Sequence, residues 1–110
     1  MEATSSTGIR DPGNTGANIS PGRTGIQMLI CTNGSGAAIY FQFFDAAASS
    51  VTIGTTTPTF VVAVPNTQSV VVAPSNGEMY FPTRLSVFAT TAIFGSTSAG
   101  AGHHVAAFVN

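Results

Sequence analysis

Lysine and tryptophan are absent from this chain of 110 residues, cysteine occurs once, and only seven side chains carry a formal charge. Each shortage excludes something. Three scattered arginines and a net charge of -1 leave no basic stripe to neutralise phosphates, so no nucleic-acid partner is expected. Without lysine, the Gly-rich stretch Asn33-Gly34-Ser35-Gly36 is no phosphate loop, which needs that amine and a helix behind it. The single Cys31 has no internal disulfide partner, and inside the apolar run 27–32 it reads as a small buried hydrophobe. The longest apolar blocks run to about five residues against the roughly 20 of a membrane helix, so no membrane partner is expected. The first residues show neither the basic nor the apolar region of a secretory signal, and none is expected.

The scarcity of charge has a further consequence. Charged residues make up 6% of the chain, against about 25% in an ordinary soluble domain. Glu2, Arg10, Asp11 and Arg23 stand near the start, and the remainder holds only Asp45, Glu78 and Arg84. A surface so neutral is expected to be covered by other copies of the chain or by partners. The length suits one domain with a modest core.

What the chain does have is β-branched residues at strand spacing. Residues 50–73 hold the densest run: Gly54 breaks a short extended piece at 51–53, and Pro58 pushes Thr57 away from helical angles. Valine-rich strands follow at 59–64 and 68–73. Pro65-Asn66-Thr67 between them suits a hairpin turn. Residues 27–32 and 38–44 flank the Gly-rich turn, with Ile39, Phe41 and Phe43 directed at the core. Asp45 to Ser50 is read as a connection with one helical turn capped by Asp45. A turn at 74–77, an extended piece at 78–82, a long two-sided apolar strand at 84–94 and a strand at 103–109 complete the chain. Short strands, frequent turns and no amphipathic helix predict an all-β fold over residues 25–110, an antiparallel β-sandwich or jelly-roll-like barrel.

Residues 1–24 are mostly Ser, Thr, Gly, Asn and Pro, and nothing in them offsets the entropy of ordering without a partner surface. They are read either as a disordered tail or as a flexible, extended arm that orders on a neighbour. In the second case Ile9, Arg10, Asp11, Ile19 and Arg23 are the docking residues. For self-association the expected apolar face comprises Val61, Val71 and Phe88.

No catalytic residue, metal or cofactor is expected. His103 and His104 are adjacent in a strand, so their rings point to opposite faces and cannot grip one metal together. Asp45, a histidine and one of many serines spell a relay on paper, yet no G-x-S-x-G turn supports it. Nothing places Asp45 and Glu78 together as paired carboxylates.

Three motifs in order, Phe43-Phe44-Asp45-Ala46-Ala47, Gly54-Thr55-Thr56-Thr57-Pro58 and Arg84-Leu85-Ser86-Val87-Phe88-Ala89-Thr90-Thr91, resemble those of small β-sandwich virion proteins of tailed bacteriophages. The resemblance spans residues 27–109. It implies a non-enzymatic structural protein made in the host cytoplasm and located on the virion. The preferred place is the outer capsid surface, where a decoration or cement protein, a homotrimer bound to the major capsid protein, stabilises the head. The alternative it leaves open is a receptor- or glycan-binding module of a tail or fibre, for which Tyr40 and Tyr80 are the candidate aromatics.

Overall fold

The computed structural model describes residues 5–75 and 78–109. Residues 1–4, Asn76, Gly77 and Asn110 lie outside it, and with them the first part of the expected arm and half of the turn expected at 74–77. The strands are β1 (Ser5–Arg10), β2 (Ala17–Asn18), β3 (Thr24–Asn33), β4 (Ile39–Asp45), β5 (Phe60–Val64), β6 (Gln68–Val72), β7 (Met79–Phe81), β8 (Leu85–Thr90) and β9 (His103–Val109). A single 3₁₀ turn, Ala48–Ser50, interrupts the β4–β5 connection.

Two antiparallel sheets pack together. The first has the order β1-β9-β3-β6, with β7 beside β6 along the same edge of β3; the second has the order β2-β8-β4-β5. The pairs are nested: β1 joins β9, β2 joins β8, β3 joins β6 and β7, and β4 joins β5. The nested hairpin is then rolled so that β9 also pairs with β3 and β8 with β4. This strand order is that of a jelly roll.

Side-chain alternation decides what each sheet turns inward. Ile26, Leu29, Cys31, Val105, Ala107 and Val109 of the first sheet meet Ile39, Phe41, Phe43, Val62, Val64, Leu85, Val87 and Ala89 of the second. Phe43 stacks on Phe60 at 4.7 Å, and Phe60 leans on Phe81 across the sheets. A bulge at Gln27, between Ile26 and Met28, resets the register so that Ile26 faces the core together with Leu29 and Cys31, while Met28 and Ile30 turn to the outer side.

The second sheet is also buried on its outer side along β8 and the adjoining part of β4. All six residues of β8 are buried, because Phe88 and Phe44 meet edge to face at 5.4 Å on that side. Chain segments close over them. The Gly13 carbonyl accepts from the Ala89 amide, and the Ala48 amide donates to Asn18 Oδ1, which draws the β4–β5 connection across to β2. Gly16 rests on the Phe88 ring at φ +77, and an added Cβ would lie 2.4 Å from two ring carbons.

Three expectations are corrected here. Residues 5–24 form no free arm: β1 and β2 are strands of the two sheets, and Ile19 is buried in the core. The reason is that backbone ladders do not depend on side chains, so a Ser/Thr/Gly segment unable to fold alone completes an edge once a partner strand exists. Next, the valine-rich strands are present, but they do not pair with each other. Pro65-Asn66-Thr67, with Thr67 at φ 63, turns the chain from β5 in the second sheet to β6 in the first. Finally, Asp45 does not cap a helical turn; its Oδ1 accepts the Thr83 and Arg84 amides and holds the entry to β8.

Deleting residues 1–24 should therefore abolish cooperative folding, since it removes one strand from each sheet and uncovers Phe88. A truncated chain with wild-type near-UV circular dichroism and a sharp thermal transition would contradict this. Gly16→Ala should destabilise by about 1–3 kcal/mol more than Gly36→Ala, because both sites have positive φ but only Gly16 has a ring in the way. Denaturant midpoints of the two variants make the comparison.

Candidate functional site

The outer face of the first sheet differs from that of the second. Its centre is formed by cross-strand pairs read from the register: Phe108 beside Met28, and Ala106, Ile30 and Val71 in one row. Met28, Ile30, Ala106 and Phe108 are half-buried, while Val71 is 58% exposed. Tyr80 on β7 is 57% exposed on the same side. Val71 and Tyr80 are thus the large apolar side chains most open to solvent on this face.

One end of this face is built with more detail. Arg10 pairs in register with His104, and just beyond them the chain turns at Asp11 with φ 49. Asp11 Oδ1 accepts the amides of Gly102 at 2.8 Å and His103 at 2.9 Å, which ties the end of β1 to the start of β9. Those two hydrogen bonds, Gly102 first, hold the Asp11 carboxyl below its ordinary value of 3.8, with smaller help from the Arg10 charge against some desolvation.

His103 and His104 point to opposite faces. His103 is 1% exposed, with its ring edge toward Phe41, and His104 lies on the outer face near Gly8. The Gly13 amide donates to His103 Nε2 at 3.1 Å. Since an amide N–H only donates, the proton sits on Nδ1, which donates to the Gly100 carbonyl at 2.7 Å. Asp11 Oδ1 stands 3.4 Å from the same Nδ1. The accepting lone pair of the ring is thus occupied by backbone, and Ser98 Oγ nearby accepts the Asn14 amide. Here an aspartate and a histidine fasten the 11–16 segment onto β9 and a serine fastens it to the loop before β9, and the imidazole nitrogens are engaged by the Gly13 amide and the Gly100 carbonyl.

The other chemistry-bearing residues are dispersed. Asp45 closes the β8 entry, whereas Glu78 reaches over Gly25 at the edge of the first sheet. Cys31 is buried in the core, and desolvation pushes its thiol up to about 12. Among the described residues, no group of three or more His, Cys, Asp or Glu is placed to hold a metal. An open groove of about 150 Å³ lies between Thr55, Thr56, Thr57, Pro58 and Phe94, whose ring is 57% exposed at φ 57.

The residues expected to dock or associate are not brought together as supposed. Of the arm set, Ile9 and Ile19 pack against the core, Asp11 is engaged in its turn, and Arg10 and Arg23 are exposed. Val61 lies on the outer side of the second sheet and Val71 on that of the first, so they share no face. Phe88 is 2% exposed, sealed beneath Gly16. Tyr40 and Tyr80 likewise belong to different sheets. Only the alternation His104, Ala106, Phe108 against Met28, Ile30 carried a signal for the open face, and it is weak without the register that aligns the strands.

Comparison with protein-family models, curated proteins and solved structures finds no match for this chain.

A pH dependence follows from Asp11. Its folded pKa is depressed, so its ionised form adds stability that is present above 3.8 and is lost as pH falls through the lower folded value. Asp11→Asn keeps an oxygen acceptor but no charge. Its melting temperature should lie below wild type at pH 5–7, with the gap shrinking below about pH 3.8; a gap that widens in acid would contradict the assignment.

Proposed function

We propose that this chain is a non-enzymatic structural protein of a tailed-bacteriophage virion, a decoration or cement protein that binds the outer capsid surface in many copies and stabilises the head. The observation that carries this reading is the jelly-roll sandwich with one sheet face closed by its own loops and the other left apolar and nearly uncharged. Such a face gains by meeting protein and gains nothing from soluble ions or small charged substrates. The major capsid protein and further copies of the chain are the partners in this reading. Multivalent display on a lattice then raises the total affinity above that of each contact.

The mode of attachment differs from docking by a flexible arm. With residues 5–24 built into both sheets, the capsid contact in this reading falls to the body: the open face, and loops such as 34–38 and 91–102. Added to heads stripped of their small surface proteins, the purified chain is expected to rebind and raise the temperature at which the heads open. Failure to rebind would overturn the assignment. Binding to a glycan array, lost in Phe94→Ala, in place of binding to heads would move it to the tail or fibre module.

A further inference from the structure

The open face of the first sheet is apolar at its centre but charged at two corners, and the signs are opposite. Arg10 stands at one corner: Ile9 packs inward on the core, so Arg10 projects outward beside His104 at the β1 edge. Glu78 stands at the other. It precedes β7, whose Met79 and Phe81 turn to the core while Tyr80 turns out opposite Gly25, and a Cβ on Gly25 would run into the Glu78 carboxylate. Glu78 therefore lies over the outer surface near the start of β3. In register, Arg10 is level with Thr32 through His104, near the far end of β3.

Strand geometry converts this placement into distances. Three strand spacings separate β1 from β7, about 14 Å, and the offset along the strands from Thr32 to Gly25 is about 20 Å. The two charges thus sit at diagonal corners, and the midpoint of the diagonal falls on the pairs Met28–Phe108 and Ile30–Ala106. A two-fold axis lying in the plane of contact, perpendicular to that diagonal, does three things together. It lays the apolar centre of one copy on that of the other, sets each Arg10 against the partner's Glu78, and separates like charges.

We propose that this face is a self-complementary interface, on which a second copy of the chain docks by two-fold symmetry with reciprocal Arg10–Glu78 pairs at its rim. An isologous contact needs only that one patch complement itself, and Arg10 and Glu78 on either side of an apolar middle satisfy that, with Asp11 held in its own turn and Arg23 beyond the start of β3. Glu78 keeps an interaction within its own chain. A carboxylate with two oxygens has acceptor sites for both partners. The apolar centre supplies the affinity, and the corner charges set orientation and exclude other registers. The resemblance to virion proteins implies a three-fold assembly; the charge placement fits a pair instead. The biological use of the pair rests on the virion reading, but its existence does not.

Sedimentation velocity on the full chain at several concentrations, in low and moderate salt, tests this. Wild type is expected to be a dimer; Arg10→Glu and Glu78→Arg are each expected to weaken it at least tenfold, since two like-charge contacts arise per dimer. The double swap Arg10→Glu with Glu78→Arg is expected to restore the wild-type constant. Ile30→Asp, placed at the centre, is expected to give a folded monomer that the swap does not rescue, with thermal melts checking the fold. A wild-type monomer, a trimer, or a double swap no better than the singles would overturn the two-fold pairing. A monomer that still rebinds stripped heads would overturn it while leaving the virion reading in place. A dimer that does not rebind would support it and remove that reading.

Discussion

The last strand, β9, lies between β1 and β3, so the first sheet has no continuous ladder until the final residues are in place. Every other feature depends on this insertion. It aligns β1, which cannot hold itself, and it sets the register that puts His103, Val105, Ala107 and Val109 inward and His104, Ala106 and Phe108 outward. Asp11 and His103 fasten the same junction, their contact spanning 92 residues of chain. Such a pairing closes a loop of nearly the whole sequence before it stabilises anything, which makes the fold non-local and its assembly slow compared with helical domains of the same size.

With so few ion pairs, the two faces of each sheet have to be occupied by apolar or uncharged groups, and the chain distributes its connections unequally to do so. The β4–β5 connection and the 11–16 segment are both spent on the second sheet, where they cover Phe44 and Phe88. None of the chain's longer connections is drawn across the first sheet in the contacts described. Unequal cover gives the molecule two different sides: one closed by loops, with the Thr55–Phe94 groove among them, and one flat.

Much of the architecture was legible in the sequence, because the period of two survives in most strands. The inward direction of Ile39, Phe41 and Phe43 agrees with the observed core, as does the buried state of Cys31. Strand partners were not legible, since pairing is a property of distant segments. Pro65-Asn66-Thr67 looks the same whether it folds two strands into a hairpin or carries the chain from one sheet to the other. The role of residues 5–24 was hidden for a related reason: edge strands are held by backbone groups, which composition does not report. Phe88 was read as part of an open association face, yet it is buried, and its cover comes from Gly16, a residue without a side chain to signal contact.

The register of the outermost pair places Ser5 directly opposite Val109. Both ends of the described chain therefore emerge side by side, at the end of the sandwich away from the Asp11–His103 turn. Anything joined before or after this segment leaves from that one pole, and the opposite pole, with the Asn33 to Gly36 turn and the Gly102 loop, stays unobstructed. The same closeness means that a short peptide can join the two ends into a ring, after which the chain can be opened at an exposed turn such as Pro65 to Thr67 with every ladder kept. In terms of design, the molecule is a closed circuit whose present opening lies between β9 and β1.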